Sequence, residues 1–470
     1  MLILTFVITL RNMLKEFQPV ILAAGKGSRI TELTENKPKC LLPIGGKPMV
    51  WYPLIKLENS GFSDVILLVY ENQKAEIQNN LEKLELTIKI EYVPIPPNED
   101  FGTADSLRFL NDKLNITADL LVLSCDLITD TSLIRVVDLY RRHEAAICVL
   151  LFQPQELEKG FLVPGPKSKY KPEKDIFGLD PKTNRIIFLA SASDFETDVP
   201  LKRALLSKHR QILAYSNLVD SHVYIIKNWI LKYLKHEESI STIKGELLPH
   251  IIKRQLYKQK KCSDMDVSVV NTQDANDIFH FSKENDIYHL IRNNATYNDH
   301  SGDLKPTYHG DTIRCYAHIA PNNVFGLRVN TLQNYWLINK EIIDRWPRII
   351  NDKLELIKID PKAEIKSNQV DEKCIIWESA KLSEKTSFKN ANIGANTEVS
   401  SFSRVFNSIV MNNVTIKEKV AIENCIICDG AIIESGSKLK GCIVGYNHKV
   451  LEGSEVMNEV LMDSDRLMEL

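Results

Sequence analysis

Short unbroken runs of aliphatic residues recur through the first half of the chain: Val65-Ile66-Leu67-Leu68-Val69, Leu120-Leu121-Val122-Leu123 and Ile147-Cys148-Val149-Leu150-Leu151. Continuous rather than alternating runs suit strands buried on both faces of a parallel sheet. Stretches with helical spacing lie between them, Trp51 to Ser60 among them. The alternation persists from Phe17 to about Met265 and predicts a doubly wound sheet with helices on both faces.

The last hundred residues follow another rule. From Val414, aliphatic residues recur every six positions: Val414, Val420, Ile426, Ile432, Val444, Val450 and Val456, with Lys438 the one break. Asn390, Asn407, Asn424, Gly441 and Asn458 stand seventeen apart, and Ile409, Ile426, Ile443 and Val460 follow at the same interval. Six residues make one strand and one corner of a β-helix; three such sides make a coil. The aliphatic rows are expected inside the prism, with Asn and Gly at corners whose backbone angles other residues resist. Cys425 and Cys442 are expected to stack on adjacent coils. Cys425-x-x-Cys428 has no second pair at zinc-site spacing and reads as a coincidence of the repeat.

These patterns divide the chain into an extension (1–16), an α/β domain (17–270), a connector carrying little structure (271–354), a β-helix (355–462) and a tail (463–470). Pro164 to Asp175 and the basic run Lys253 to Lys261 read as solvated surface. In the connector, His280, His289, His300, His309 and His318 are too widely spaced for a zinc site.

Composition adds little. The 470 residues carry a net charge of −2, so no global basicity argues for nucleic acid. Nine scattered cysteines suit a reducing cytosol. Leu2 to Leu10 is too short to span a bilayer and lacks the basic start and cleavage site of a signal peptide.

The candidate chemistry sits where the first strand ends. Gly25-Lys26-Gly27-Ser28-Arg29 is a glycine loop followed by Lys37-Pro38-Lys39. Small residues let backbone N–H groups approach a phosphate, and Lys26, Arg29 and Lys39 add positive charge. Neither the P-loop nor the dinucleotide spacing is present. The whole string resembles the signature of sugar-nucleotide pyrophosphorylases, which join a nucleoside triphosphate to a sugar phosphate. The resemblance implies that Gly25, Gly27, Arg29 and Lys39 occupy the triphosphate site. It also implies that Gly102-Thr103-Ala104 forms the loop near the nucleobase, and that Asp126 stands at the magnesium-ligand position. The implied fold is an α/β nucleotidyltransferase-like domain, a Rossmann-like doubly wound sheet, followed by a left-handed parallel β-helix of hexapeptide repeats.

Other parts of that signature are missing. Active members carry a Glu-Lys-Pro before the sugar-binding strand; Ile186 to Phe195 contains no Lys. Cys125 replaces a Gly before the metal Asp and is expected to narrow the approach. No second metal-binding Asp is visible after Asn217. A degenerate site is expected, with no catalytic residue and no metal. The possibility of residual nucleotide binding stays open at Gly25, Lys26, Gly27, Arg29, Lys39, Gly102, Thr103 and Asp126.

Leu123 to Asp130, Asn217 to Asp220 and Arg466 to Leu470 resemble the gamma-subunit family of eukaryotic translation initiation factor 2B. That resemblance implies a non-catalytic, regulatory subunit of the complex that exchanges GDP for GTP on the GTPase initiation factor 2. Its expected partners are the catalytic epsilon-type subunit, the other subunits and initiation factor 2, with no nucleic acid and no membrane. The chain ends just past the β-helix, without the helical domain of epsilon, which favours gamma. The alternatives are an active pyrophosphorylase of the GDP-mannose type and a nucleotide or sugar-nucleotide sensor.

Overall fold

The computed structural model describes residues 14–97, 99–155, 162–166, 175–191, 198–199, 201–209, 211–257, 278–282, 311–350 and 354–462. Residues 1–13, 192–195 and 463–470, with His289, His300 and His309, lie outside them.

The aliphatic runs form the predicted sheet. Its strands are β1 (Phe17–Leu22), β2 (Asp64–Tyr70), β3 (Lys89–Ile95), β4 (Asp119–Ser124), β6 (Ile147–Phe152), β10 (Val219–Ile226) and β11 (Cys315–Ile319), in the spatial order β11-β6-β10-β4-β1-β2-β3. Only β10 runs antiparallel to its neighbours. Strand β5 (Leu127–Thr129) pairs instead with β12 (Gly326–Arg328), and β7 (Asp175–Leu179), β8 (Ile186–Ser191) and β9 (Leu213–Tyr215) form a small antiparallel sheet. The chain leaves β1 for β2 on one side and returns as β4 on the other. This places a topological switch point at the carboxyl ends of β1 and β4. Helix α1 (Trp51–Ser60) covers the range its spacing predicts and stops at Gly61, whose φ of 99° allows the left-handed turn.

The segment expected as a connector is more structured than its sequence suggested. It supplies edge strand β11, partner strand β12 and helix α7 (Leu332–Ile350). Its polar composition hid them: β11 is only five residues long, paired with β6 on one flank and bridged to Arg185 on the other, and α7 spreads its apolar side chains around two interfaces.

Three parallel six-stranded sheets build the C-terminal domain, the arrangement of a left-handed β-helix. The inter-coil registers are offset by seventeen residues, as in Ile416↔Ile433 and Val405↔Ile422, except Gln369↔Ser387 and Val370↔Phe388, which are eighteen apart. The predicted corners hold: Asn390, Asn407, Asn424, Gly441 and Asn458 have φ of 48°, 49°, 53°, 65° and 54°. Two further left-handed rows, one from Ser379 to Asn447 and one from Lys385 to Gly453, turn the other corners. Asn390 donates to Asn407, and Asn407 to Asn424, forming an amide ladder down one corner. Cys425 and Cys442 stack as expected, the Cys442 amide lying 3.3 Å from the Cys425 sulfur.

The six-residue series is not one buried row. A coil of seventeen cannot hold a strict six-residue period, so the series drifts: Val414 and Val420 lie inside the prism, but at the next two steps Ile427 and Ile433, not Ile426 and Ile432, fill the interior. Ile409, Ile426 and Ile443 face outward and are buried against the α/β domain, in a cluster with Trp336, Ile338 and Trp346 of α7. Each such side chain withdrawn from water stabilises the junction by about 1.5–3 kcal/mol. Cys425 packs inside the prism and Cys428 outside it, so the Cys-x-x-Cys pair does not converge.

Candidate functional site

The site forms where β1 and β4 end side by side. Leu22 is paired with Ser124, and the Cys125 amide donates to the Leu22 carbonyl at 3.2 Å. From β1 the chain enters the glycine loop. Gly25 has open space around it; Gly27 has φ 71°, and a Cβ there would lie 2.8 Å from Thr34. Lys26 is exposed and pairs with Asp100 at 2.7 Å, two residues before Gly102. Arg29 is also exposed, its Nη1 3.2 Å from the Asn330 side-chain amide.

Lys39 and Asp126 meet. Pro38 (φ −52°, ψ 132°) delivers Lys39 into a single helical turn, Lys39–Leu41, from which its ammonium pairs with the Asp126 carboxylate. A second cation, Arg328, reaches the same carboxylate, Nε at 3.3 Å and Nη2 at 3.4 Å. Its position follows from register, because Arg328 pairs with Leu127, the residue after Asp126. The Asp126 carbonyl also accepts from the Val329 amide at 2.8 Å. Burial works to raise the Asp126 pKa, but Arg328 and Lys39 prevail and hold it well below the usual carboxylate range.

Sequence reasoning missed four members of this cluster: Arg328, Asp220, Lys244 and Asp175. Arg328 lay in the stretch read as connector. Asp220 on β10 is a second buried carboxylate; its charge and that of Asp126 together raise the Arg328 pKa against the opposing effect of burial. Asp220 accepts from the Tyr224 hydroxyl and, at 2.8 Å, from the His222 amide, beside a register irregularity where His222 takes φ 52°. Lys244, on the helical turn Ile243–Leu247, pairs with Asp175 at 2.8 Å and bears electrostatically on Asp220 and His222. Burial first, and Arg328 next, push the His222 pKa well down, leaving the imidazole neutral at pH 7. The signal for Asp220 was present in the Asn217 to Asp220 run; only the fold brings it to Arg328.

The arrangement compensates itself: Lys39, Arg328 and Lys244 face Asp126, Asp220 and Asp175. As arranged, these residues do not fit a magnesium ion, because both oxygens of Asp126 are held by Lys39 and Arg328. Among the described residues no group of three or more His, Cys, Asp or Glu converges as a metal site.

The Gly102–Thr103 loop is occupied too. Gly102 precedes helix α3 (Thr103–Leu114), and the helix's first free N–H groups, those of Ala104 and Asp105, donate to the Ser241 carbonyl at 2.8 and 3.3 Å. A Cβ on Gly102 would lie 2.2 Å from that oxygen, and the Thr103 hydroxyl accepts from the Ile243 amide at 2.8 Å. Helix-terminal donors that would serve an anion are satisfied by the chain itself. Cys125 departs from expectation: its side chain packs in the core beneath the loop and does not narrow the approach.

The fold and the residues at its switch point define a nucleotidyl transferase domain joined to a β-helix, and residues 18–163 match the nucleotidyl transferase family. The chain is also similar to gamma subunits of translation initiation factor eIF2B. It is 28% identical to that of Schizosaccharomyces pombe across 98% of this chain and 93% of the relative. It is 34% identical to that of Caenorhabditis elegans across 51% of this chain and 59% of the relative. The epsilon subunit of S. pombe eIF2B is 22% identical across 70% of this chain and 40% of that protein.

Proposed function

We propose that the chain is the gamma-type, regulatory subunit of the complex that exchanges GDP for GTP on initiation factor 2. In this role it catalyses nothing itself; it supports an epsilon-type subunit and the other subunits in the cytosol, and it meets initiation factor 2. Similarity to a gamma subunit from end to end, against a partial match to epsilon, supports the assignment.

The observation that carries the loss of catalysis is the Asp126 cluster. Phosphoryl transfer needs positive charge free to meet the triphosphate. Here Lys39 and Arg328 are committed to Asp126, and the α3 terminus is committed to Ser241. Whatever nucleotide binding remains is confined to the exposed loop, Gly25 to Arg29. A pyrophosphate-release assay with purified chain, GTP, ATP and several sugar 1-phosphates is expected to give no turnover above a no-protein control. Steady turnover that is lost in Asp126→Asn would return the protein to the pyrophosphorylases.

A further inference from the structure

The Lys-Pro-Lys segment has a second attachment that a triphosphate-binding motif does not require. While Lys39 points to Asp126, Lys37 points away from it and pairs with Asp429 of the β-helix at 2.7 Å, the two side chains 14% and 22% exposed. Neighbouring contacts repeat the link. The Tyr446 hydroxyl donates to the Leu33 carbonyl at 2.6 Å, and the Cys428 thiol lies 3.8 Å from the Glu32 carbonyl. Asp429 and Tyr446 are seventeen residues apart, one above the other on successive coils, with Asn412 on the coil before. The Asn412 amide donates to the Asp429 carboxylate at 2.8 Å, so Asp429 is held from both sides.

The link is stiff. Pro38 fixes its own φ and restricts the backbone of Lys37, so the main chain between the two lysines is stiff. The next residues are bound in turn: the Leu41 amide donates to the Pro38 carbonyl at 2.9 Å and the Leu42 amide to the Lys39 carbonyl at 3.2 Å. A shift of the β-helix over the α/β domain therefore strains the Lys37–Asp429 pair and, through the stiff main chain, bears on Lys39. We propose that Lys37-Pro38-Lys39 is a coupler that makes the Asp126 ion cluster respond to the position of the β-helix. A partner that moves the β-helix would loosen the cluster, and a change at the cluster would be felt at the coil around Asp429. The reciprocal effect is required, because a coupling free energy acts equally in both directions.

Site-resolved amide hydrogen exchange on the full chain tests this. Asp429→Asn is expected to speed exchange about tenfold at Leu41 and Leu42 and at Val329, whose amide is bound to Asp126. Asp126→Asn is expected to speed exchange at Asn412 and at Asn447, whose amide donates to the Asp429 carbonyl at 3.0 Å. Lys37→Asp combined with Asp429→Lys should restore protection at Val329. Lys438→Met, which breaks the exposed Lys438–Glu455 pair elsewhere on the β-helix, should leave all these amides unchanged. Changes from Asp429→Asn confined to the coils around 412–447, with Leu42 and Val329 unmoved, would overturn the proposal. So would uniform acceleration across the whole molecule, and Lys37→Met provides the same reading from the other side of the pair.

Discussion

Replacing Asp126 by Asn tests whether Asp126 is the centre of a structural ion cluster. Asn is nearly isosteric, so no cavity opens and the change is one of charge. Asp126 is 1% exposed, Lys39 11% and Arg328 13%, so both cations lose a desolvated partner. Removing one member of a buried pair costs about 3–5 kcal/mol. Asp220 retains a hold on Arg328, which puts the expected loss near the lower end, about 3 kcal/mol. For a domain of this size that lowers the melting temperature by about 6–12 °C. Lys39→Met leaves Asp126 still paired with Arg328 and should cost about 1–2 kcal/mol. The double variant removes both charges of the pair and should cost at least about 1.5 kcal/mol less than the two single losses added. Urea denaturation of the four proteins, followed by circular dichroism with constant m-values, measures each quantity. Additivity within about 0.5 kcal/mol would refute a coupled ion centre at Asp126.

Three other outcomes follow from the same geometry. The Asp126 carboxyl titrates well below its unfolded value near 4, so it stabilises the fold above about pH 4 and that contribution is lost as pH falls through the folded value; acid unfolding of Asp126→Asn should be correspondingly shallower below pH 4 than wild type. Gly46→Ala places a methyl 1.4 Å from the Trp377 ring at a φ of 74°, so the β-helix junction should lose about 3 kcal/mol, seen as a lower melting temperature. Asn407→Ala breaks the corner ladder and forces Ala to φ 49°, costing about 2 kcal/mol in thermal unfolding, whereas Asn407→Gly keeps the corner and should cost about half as much.

Long, locally consistent patterns were legible in the sequence. The aliphatic runs marked β2, β4 and β6 because a strand buried on both faces has no polar positions to interrupt it. The seventeen-residue Asn and Gly row marked the β-helix corners because only a few residue types accept a left-handed turn at every coil. What was not legible depends on long-range pairing. Strand β11 is a five-residue strand recruited from far along the chain, and Arg328 acquires meaning only when β12 pairs with β5 beside Asp126. Ile409, Ile426 and Ile443 read as interior residues because a buried outer face has the same composition as a core. The glycine loop and Asp126 lie at the switch point, but the ion pairing around Asp126 depends on Arg328 and Asp220, from β12 and β10.

The central claim is that this chain works as a regulatory subunit without chemistry of its own. Affinity purification of the tagged full chain from its own cells, with quantitative mass spectrometry of what co-elutes, tests it most directly. Near-stoichiometric recovery of an epsilon-type subunit and the other exchange-factor subunits, with initiation factor 2 in lesser amount, is the result expected. Recovery of the chain alone, or only with itself, would contradict the account.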